Sequence, residues 1–332
     1  MEQNNCKPEV SIVIPVYNGE SVIERCVNHI LKQSFQSFEI IIVNDGSSDN
    51  TELLCKKFVE MDSRIHLINK ENEGVSKTRN RGIKEAKGEF VLFIDCDDYI
   101  SDTYVEHMVS KMKDTNADIV ISGYTRHKYG TITECRPEND FFETRQMFAK
   151  SFFDLYNKWF LNTPWNKMFK LELIRNEFPT DLSLGEDLIF NLEYLKNCNR
   201  IAVFDEVGYQ YQIIENSGSL AEQYREDRFD NSLFLHNYVL SFAKEYLNMT
   251  EESEFQDEAF VKGIRFAMTN LHRASNVSKN IKKAKMREWS QNEEVLAAYR
   301  RCRKMTKQDK IFKFCIERGW LGLIRVIMNV FA

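Results

Sequence analysis

Short apolar runs recur through the first 122 residues, each closed by a polar cluster, and between them apolar positions return every three or four residues. Runs of four to five residues predict buried strands, and the three-to-four spacing predicts amphipathic helices. The strands are Val10 to Ile14, closed by Pro15, which cannot donate to a ladder, then Ile40 to Val43, Ile65 to Ile68, Phe90 to Ile94, and Asp118 to Ser122. Val22, Ile23, Cys26, Val27, Ile30 and Leu31 predict the first helix. Leu53, Leu54, Phe58 and Met61 predict the second, with Ser48 or Asp49 as its cap. A third opens at Gly74 and stops before Gly88, and a fourth covers 102–114.

Strands and helices in alternation predict an α/β fold with a mostly parallel sheet and right-handed crossovers. Ligands bind such sheets outside the carboxyl ends of the strands. Those ends carry Pro15-Val16-Tyr17-Asn18, Asp45-Gly46-Ser47 and Asp95-Cys96-Asp97-Asp98. On an extended chain Asp95 and Asp97 point one way and Cys96 the other. Two converging carboxylates suit Mg2+ or Mn2+, which would also hold a substrate's phosphates; the plainer reading is a solvated acidic turn. With Tyr17 packed on a base and Asp45 accepting from an imide N–H, the three ends suit a nucleoside diphosphate. Neither G-x-G-x-x-G nor G-x-x-x-x-G-K-[ST] occurs, which argues against dinucleotides and ATP hydrolysis.

Composition changes the picture at the carboxyl end only. Of 332 residues, 43% are hydrophobic and 29% charged, as in an ordinary globular protein. The net charge is −5, yet residues 280–332 carry 13 Lys and Arg against 5 Asp and Glu. An acidic body with a basic tail points to a membrane surface or an anionic partner for the tail; without aromatic–basic interleaving, nucleic acid is not expected. Helices are expected over 221–247, 251–277 and 281–300. After the basic stretch Arg300 to Lys304 comes a very apolar one from Phe312 to Phe331, the pattern of an interfacial anchor or of a helix packed on the body or a second subunit. The eight cysteines form no C-x-x-C pair and read as reduced, buried thiols. The polar first five residues lack an apolar h-region, so no signal peptide is expected. No run of about 20 apolar residues is present to span a bilayer. The expected location is cytoplasmic, peripheral on the inner face of the membrane.

Five blocks in order carry a resemblance to a known family: Val10 to Asn18, Ile42 to Thr51, Arg79-Asn80-Arg81-Gly82, Phe93 to Asp98, and Gly185-Glu186-Asp187-Leu188-Ile189-Phe190. The chain resembles an inverting glycosyltransferase of family 2 with the GT-A fold. The resemblance spans about residues 9–220 and implies a nucleotide-sugar site at Pro15, Val16, Tyr17, Asn18, Glu20, Asp45, Gly46, Ser47, Arg79, Asp95 and Cys96. It implies a divalent metal (Mn2+ or Mg2+) at Asp97 and Asp95, and Asp187, with Glu186 beside it, as catalytic base. The plainer reading of Glu186-Asp187 is a pair of first-turn carboxylates favourable to the helix dipole.

Thr163-Pro164-Trp165-Asn166-Lys167 resembles a family element that would meet the acceptor through Trp165, Asn166 and Lys167; the alternative is a core Trp beside an exposed Lys. Tyr209-Gln210-Tyr211-Gln212 and Ser217 stand where relatives carry Y-x-Y-R and a Ser, with Gln212 in place of the Arg.

The expected domains are 1–122 for the nucleotide sugar, 123–220 for the acceptor and 221–332 for a helical extension. The expected activity is transfer of a sugar, most simply from a UDP-sugar, to a glycan or lipid-linked acceptor in surface-polysaccharide synthesis, by a chain that could form a homo-oligomer. The rivals are a catalytically idle partner subunit, which should have lost an acidic site, and a sugar nucleotidyltransferase, which would need a Gly-rich basic loop after the first strand.

Overall fold

The computed structural model describes residues 7–182, 184–213, 225–250, 257–320 and 322–324. Contacts divide the chain into two compact units, Met1–Ser151 with Trp159–Glu215, and Phe152–Lys158 with Asn216–Ala332.

The first unit begins β1 (Val10–Val16), α1 (Ile23–Leu31), β2 (Phe38–Asp45), α2 (Thr51–Met61), β3 (Ile65–Lys70), α3 (Val75–Glu85) and β4 (Phe90–Phe93). Then come β5 (Tyr99–Ile100), α4 (Tyr104–Thr115), β6 (Ile119–Ser122), β7 (Tyr124–Lys128), β8 (Thr131–Cys135), β9 (Asp140–Phe142) and α5 (Arg145–Asn157), whose last residues belong to the second unit. β10 (Lys167–Lys170), α6 (Glu186–Leu195), β11 (Ile201–Phe204) and β12 (Tyr209–Ile213) complete it.

Eight strands form one sheet in the order β3-β2-β1-β4-β10-β6-β11-β9. β3, β2, β1 and β4 are parallel, and the side chains of Ile12, Val13, Ile42, Val43, Leu92 and Phe93 are fully buried within the sheet's packing. Burial on both faces is why β1, β2 and β4 read as largely apolar runs, while β3, at the edge of the sheet, is half exposed. β10 was not expected. It pairs antiparallel with both β4 and β6, so the sheet is mixed at its centre. A second sheet has the order β5-β12-β7-β8.

Three local expectations need correction. β1 does not stop at Pro15. Ile94 N donates to Val13 O, so residues 13 and 15 direct their backbone groups toward β4, whose ladder ends at Val13–Phe93, and Pro15 has no bond to lose there. Neither Ser48 nor Asp49 caps α2; Asn50 occupies the cap position, and Asp49 instead accepts from Thr51 N at 3.0 Å. Gly88 is not a left-handed stop. A Cβ there would lie 2.7 Å from Ser11 N and 2.8 Å from Val10 C, so the residue lets the entry to β4 run against β1.

The second unit holds α7 (Arg228–Ser241), continued by a π-helical turn over Phe242–Tyr246, then α8 (Glu258–Arg273), α9 (Lys279–Gln291), α10 (Glu293–Arg301) and α11 (Lys307–Glu317). The single helix expected over 281–300 is two, because the Asn292 side chain accepts from Glu294 N and Val295 N and starts α10. Phe260, Ile264, Met268, Leu271, Trp289 and Tyr299 form its core.

The tail is not a free anchor. Phe312, Cys315, Ile316 and Ile324 are buried in that core, while Phe314, Trp320 and Leu323 are exposed. Leu321 and residues 325–332 lie outside the described residues. The basic cluster is also partly used. Arg301 donates to Asp257 at 2.8 Å and to Glu294 at 2.6 Å, leaving Arg300, Arg303 and Lys304 on the surface. The described cysteines are free, and five of the seven are buried. Among the described residues, no helix is long and apolar enough to cross a membrane.

Candidate active site

Parallel pairing of β1 with β2 and β4 brings the loops after these strands side by side, as the strand order requires. The first two loops clasp each other. Asn18 N donates to Ser47 Oγ at 2.9 Å, Ser48 N to Asn18 Oδ1 at 2.8 Å, and Asn50 N to Glu20 Oε2 at 2.8 Å. Asn18, Glu20 and Ser47, expected to touch the donor, thus hold the rim together. Pro15 and Val16 are buried in the strand, so their side chains are packed rather than offered to a ligand. The Tyr17 ring, 53% exposed, is the open aromatic surface of this rim.

Asp45 is the last residue of β2 and is buried. Oδ1 accepts from Lys70 Nζ and from Glu73 N at 3.0 Å, and Oδ2 from Gly74 N at 2.9 Å. Burial alone would raise this carboxyl, but the ammonium and two backbone N–H groups hold it below its ordinary value. The expected role as a free acceptor for a base is therefore corrected: Asp45 pins the start of α3 to the end of β2, and only the remaining lone pair of Oδ2 is uncommitted. Lys70 was missed. It is the register partner of Asp45 across the parallel pair, so pairing β2 with β3 in sequence could have found it. Gly46 follows as the turning residue, at φ +68°.

The acidic block is not extended. β4 ends at Phe93, and Asp98 N donates to Asp95 O at 3.0 Å, closing a four-residue turn. The strand alternation expected for Asp95, Cys96 and Asp97 does not apply. Asp97 is pushed up to about 6 by burial and by the charge of Asp95, with Arg25 opposing. Arg25, also missed, donates to the Asp97 carbonyl. Burial, then the neighbouring carboxylates, pushes the Cys96 thiol up, so it stays protonated. Asp98 faces inward. It accepts from Tyr209 Oη and from Gln212 N, each at 2.7 Å, and burial raises its pKa well above the ordinary carboxylate value. This acid joins the turn to β12, a link with no signal in the sequence. Gln212 serves through its backbone, and Ser217 lies outside the described residues.

Gly185, at φ +93°, turns the chain so that Glu186 and Asp187 form the first turn of α6. Arg79 on α3 reaches both acidic centres. Nη1 donates to Asp187 Oδ1 at 2.7 Å and Nη2 to Asp95 Oδ1 at 2.9 Å. Arg79 is thus a buried clamp, 4% exposed, and not the open donor contact expected of it. Asp187, its side chain 21% exposed, is pushed up to about 7 by burial; Arg79 opposes the rise, and Glu186 and Asp95 add to it.

The expected acceptor residues are core. Tyr209 stacks on Trp165 at 4.4 Å and Tyr211 at 5.2 Å, while Tyr124 meets it edge-on at 4.9 Å. Its ring has no free face for a sugar. Asn166 and Lys167 are fully buried. Lys167 Nζ donates to Phe160 O at 2.7 Å, to Asn166 Oδ1 at 2.8 Å and to Thr163 O, and Asn166 Nδ2 to Ser122 O at 2.9 Å. The direct acceptor contact expected of all three is corrected to a packing role.

Arg79 thus joins the acidic turn after the parallel strand β4 to the acidic start of α6. A family model described as Glycosyl transferase family 2 matches residues 11–178. The chain belongs to that family and is a glycosyltransferase with a GT-A-like α/β fold.

It is 31% identical over 257 residues to the uncharacterized glycosyltransferase EpsJ of Bacillus subtilis (strain 168), covering 73% of this chain and 74% of EpsJ. It is 28% identical over 207 residues, 60% of this chain and 35% of the relative, to the poly(ribitol-phosphate) beta-N-acetylglucosaminyltransferase TarS of Staphylococcus aureus (strain Mu50). The structure of residues 1–349 of S. aureus TarS with UDP-GlcNAc superposes with a TM-score of 0.63, covering 97% of this chain and 91% of that one at 20% identity. A mannosyltransferase from Pyrobaculum calidifontis, solved with GDP-Man and Mn2+, gives 0.53 over 98% of this chain and 88% of its own, at 17% identity.

Proposed function

We propose that this glycosyltransferase moves a sugar from a UDP-sugar to a hydroxyl of a glycan or lipid-linked acceptor in surface-polysaccharide synthesis, by one inverting displacement with Asp187 as base. The observation that carries the reading is the single guanidinium joining Asp95 to Asp187, because it brings the donor-side acid and the base into one centre. With Asp187 Oδ1 held by Arg79, Oδ2 accepts the proton of the acceptor hydroxyl while that oxygen attacks the anomeric carbon. The bond to the donor phosphate breaks on the opposite face, so the configuration inverts. Tyr17 stacks on the base at the rim, and the clasped loops fix where it lies. The donor class is supported by the UDP-GlcNAc that TarS binds, and a hydroxyl of a polymeric acceptor by the poly(ribitol-phosphate) in its name.

The residues present fit a divalent cation. Burial, and then the charge of Asp95, raises Asp97, and a cation bound at these carboxylates would offset both. Among the described residues no group of three His, Cys, Asp or Glu side chains could hold a metal. Mg2+ and Mn2+ need no such cage when one or two carboxylates are completed by diphosphate oxygens and water. A bound cation would neutralise charge growing on the leaving diphosphate. We further infer that the enzyme works at the inner face of a membrane, held by its basic carboxyl-terminal unit.

Release of UDP from a panel of UDP-sugars, with Mn2+ and with lipid extract as acceptor source, tests the function. Asp187→Asn is nearly isosteric and cannot take the proton. Turnover should fall on the order of 10²–10⁴-fold, while UDP affinity by calorimetry stays within about twofold. Equal loss of UDP binding and turnover would move Asp187 into the donor site and make Glu186 the base.

A further inference from the structure

We propose that Arg79 is a positioning residue that holds Asp187 in its proton-accepting orientation and, through its second arm, weakens the grip of Asp95 on a cation. The inference rests on the reading of Asp187 as base and of Asp95 and Asp97 as the donor-side acids.

Three elements meet at this side chain. Arg79 comes from α3, Asp95 from the turn after β4, and Asp187 from the first turn of α6. The frame around it is stiff. The next residue, Asn80, donates to Phe178 O at 2.9 Å and accepts from Phe178 N at 2.7 Å, fixing α3 against that segment. The Phe178 ring stacks on Phe190 of α6 at 3.8 Å, and the Arg79 guanidinium lies 5.4 Å from the Phe178 ring. α3 and α6 are therefore held together beside the clamp, and the guanidinium is held within it.

The fork is what matters. A planar guanidinium gives one arm to each carboxylate in fixed directions, whereas an ammonium is a point charge on a flexible stem. Occupation of one lone pair of Asp187 Oδ1 fixes the carboxylate plane and leaves Oδ2 the freer oxygen for an acceptor. Nη2 of Arg79, 2.9 Å from Asp95 Oδ1, is a fixed positive charge on a carboxylate that would bind a cation, and a cation sharing that carboxylate would meet like-charge repulsion. Arg79 therefore opposes metal binding while serving the base. A donor ligand would strengthen both binding and turnover, and a merely structural residue would support both alike. Only a positioning clamp separates them in opposite directions.

The test uses the full chain, with titration calorimetry for Mn2+ and for UDP beside steady-state UDP release. In Arg79→Met, kcat should fall on the order of 100-fold, the loss a misplaced reacting group causes. Mn2+ should bind several-fold more tightly than in the wild type, and unchanged Mn2+ affinity would overturn the claim that Arg79 opposes the cation. Arg79→Lys keeps the charge without the fork: Mn2+ affinity should stay within about twofold and kcat should fall at least about tenfold. Weaker Mn2+ and UDP binding in step with kcat would make Arg79 a donor ligand and overturn the proposal. Wild-type kcat in either variant would overturn it as well. If Arg79→Met does not fold, Arg79→Lys decides alone. Asp187→Asn, run in parallel, keeps the two readings apart: full turnover there removes the base itself, whereas its collapse with an indifferent Arg79→Lys removes only the clamp.

Discussion

A carboxylate that must accept a proton near neutral pH has to sit above the ordinary Asp range without being left unpaired. Asp187 meets both demands: burial lifts it to about 7, and Arg79 keeps it hydrogen-bonded. As the proposed base, Asp187 would work deprotonated, so kcat should rise with pH and reach half its plateau near 7, falling about tenfold per unit below that. A profile flat from pH 5 to 8 would exclude Asp187. The sign for stability is opposite. Folded Asp187 holds its proton more tightly than the unfolded chain does, so its contribution is full below about pH 4 and is lost as pH rises towards 7. Gaining the active form across that window costs stability. At this scale the sequence displayed residue types but not their partners. Asp95, Asp97 and Asp187 stood out because they end apolar runs or begin a helix. Arg79 lies 16 residues from Asp95 and 108 from Asp187, and nothing local says that one guanidinium serves both. Nor could spacing tell that Asp98 turns inward to Tyr209 while Asp97 does not.

Elements were legible where burial is complete. β1, β2 and β4 are buried on both faces, so they appear as apolar runs, interrupted in the core only where Ser11 donates to Glu39, and their order fixes a parallel sheet. β10 was hidden because it has four residues flanked by lysines, Lys167 and Lys170, and its centre, Met168 and Phe169, is too short to show a period. The β5-β12-β7-β8 sheet was hidden for a related reason: its strands are half-exposed or only two residues long. Missing these strands is what made Trp165 look available. With Tyr209 and Tyr211 of β12 stacked on it, Trp165→Ala should cost about 3–5 kcal/mol of stability in denaturant. Trp165→Phe keeps an aromatic ring in the stack, so the Michaelis constant for the acceptor should stay within about twofold. A large rise in that constant with unchanged stability would restore Trp165 to the acceptor site.

On the scale of the whole molecule, charge is divided along the chain, and the carboxyl-terminal unit carries the positive share. Residues 280–332 hold a net +8 within a chain of −5. Lys282, Lys283, Lys285 and Arg287 belong to α9, and Lys307, Lys310 and Lys313 to α11. Near α11, Arg318 lies over the Phe314 ring at 4.0 Å and within 5.9 Å of Trp320, and both rings are about half exposed. Exposed aromatic rings beside cations suit the headgroup boundary of an anionic bilayer. Each basic residue near such a surface contributes about 1 kcal/mol. The structure changes which variants can test this. Truncation before Lys310 would strip Phe312, Cys315 and Ile316 from the core of the unit, and reversal of Arg301 would break its pairs with Asp257 and Glu294. Loss of lipid binding in either would report unfolding. Phe314→Ser with Trp320→Ser, and Arg300→Glu with Arg303→Glu, act at exposed positions and should leave the melting temperature within a few degrees. Both pairs should lower sedimentation with vesicles containing phosphatidylserine. The charge pair should do so more at low salt than at high salt, because the Debye length falls from about 30 Å at 0.01 M to about 8 Å at 0.15 M. If this face instead meets a second copy of the chain, the aromatic pair should change the sedimentation coefficient and vesicle binding should be absent in the wild type. Wild-type protein that ignores such vesicles at low salt would remove the membrane from the proposal.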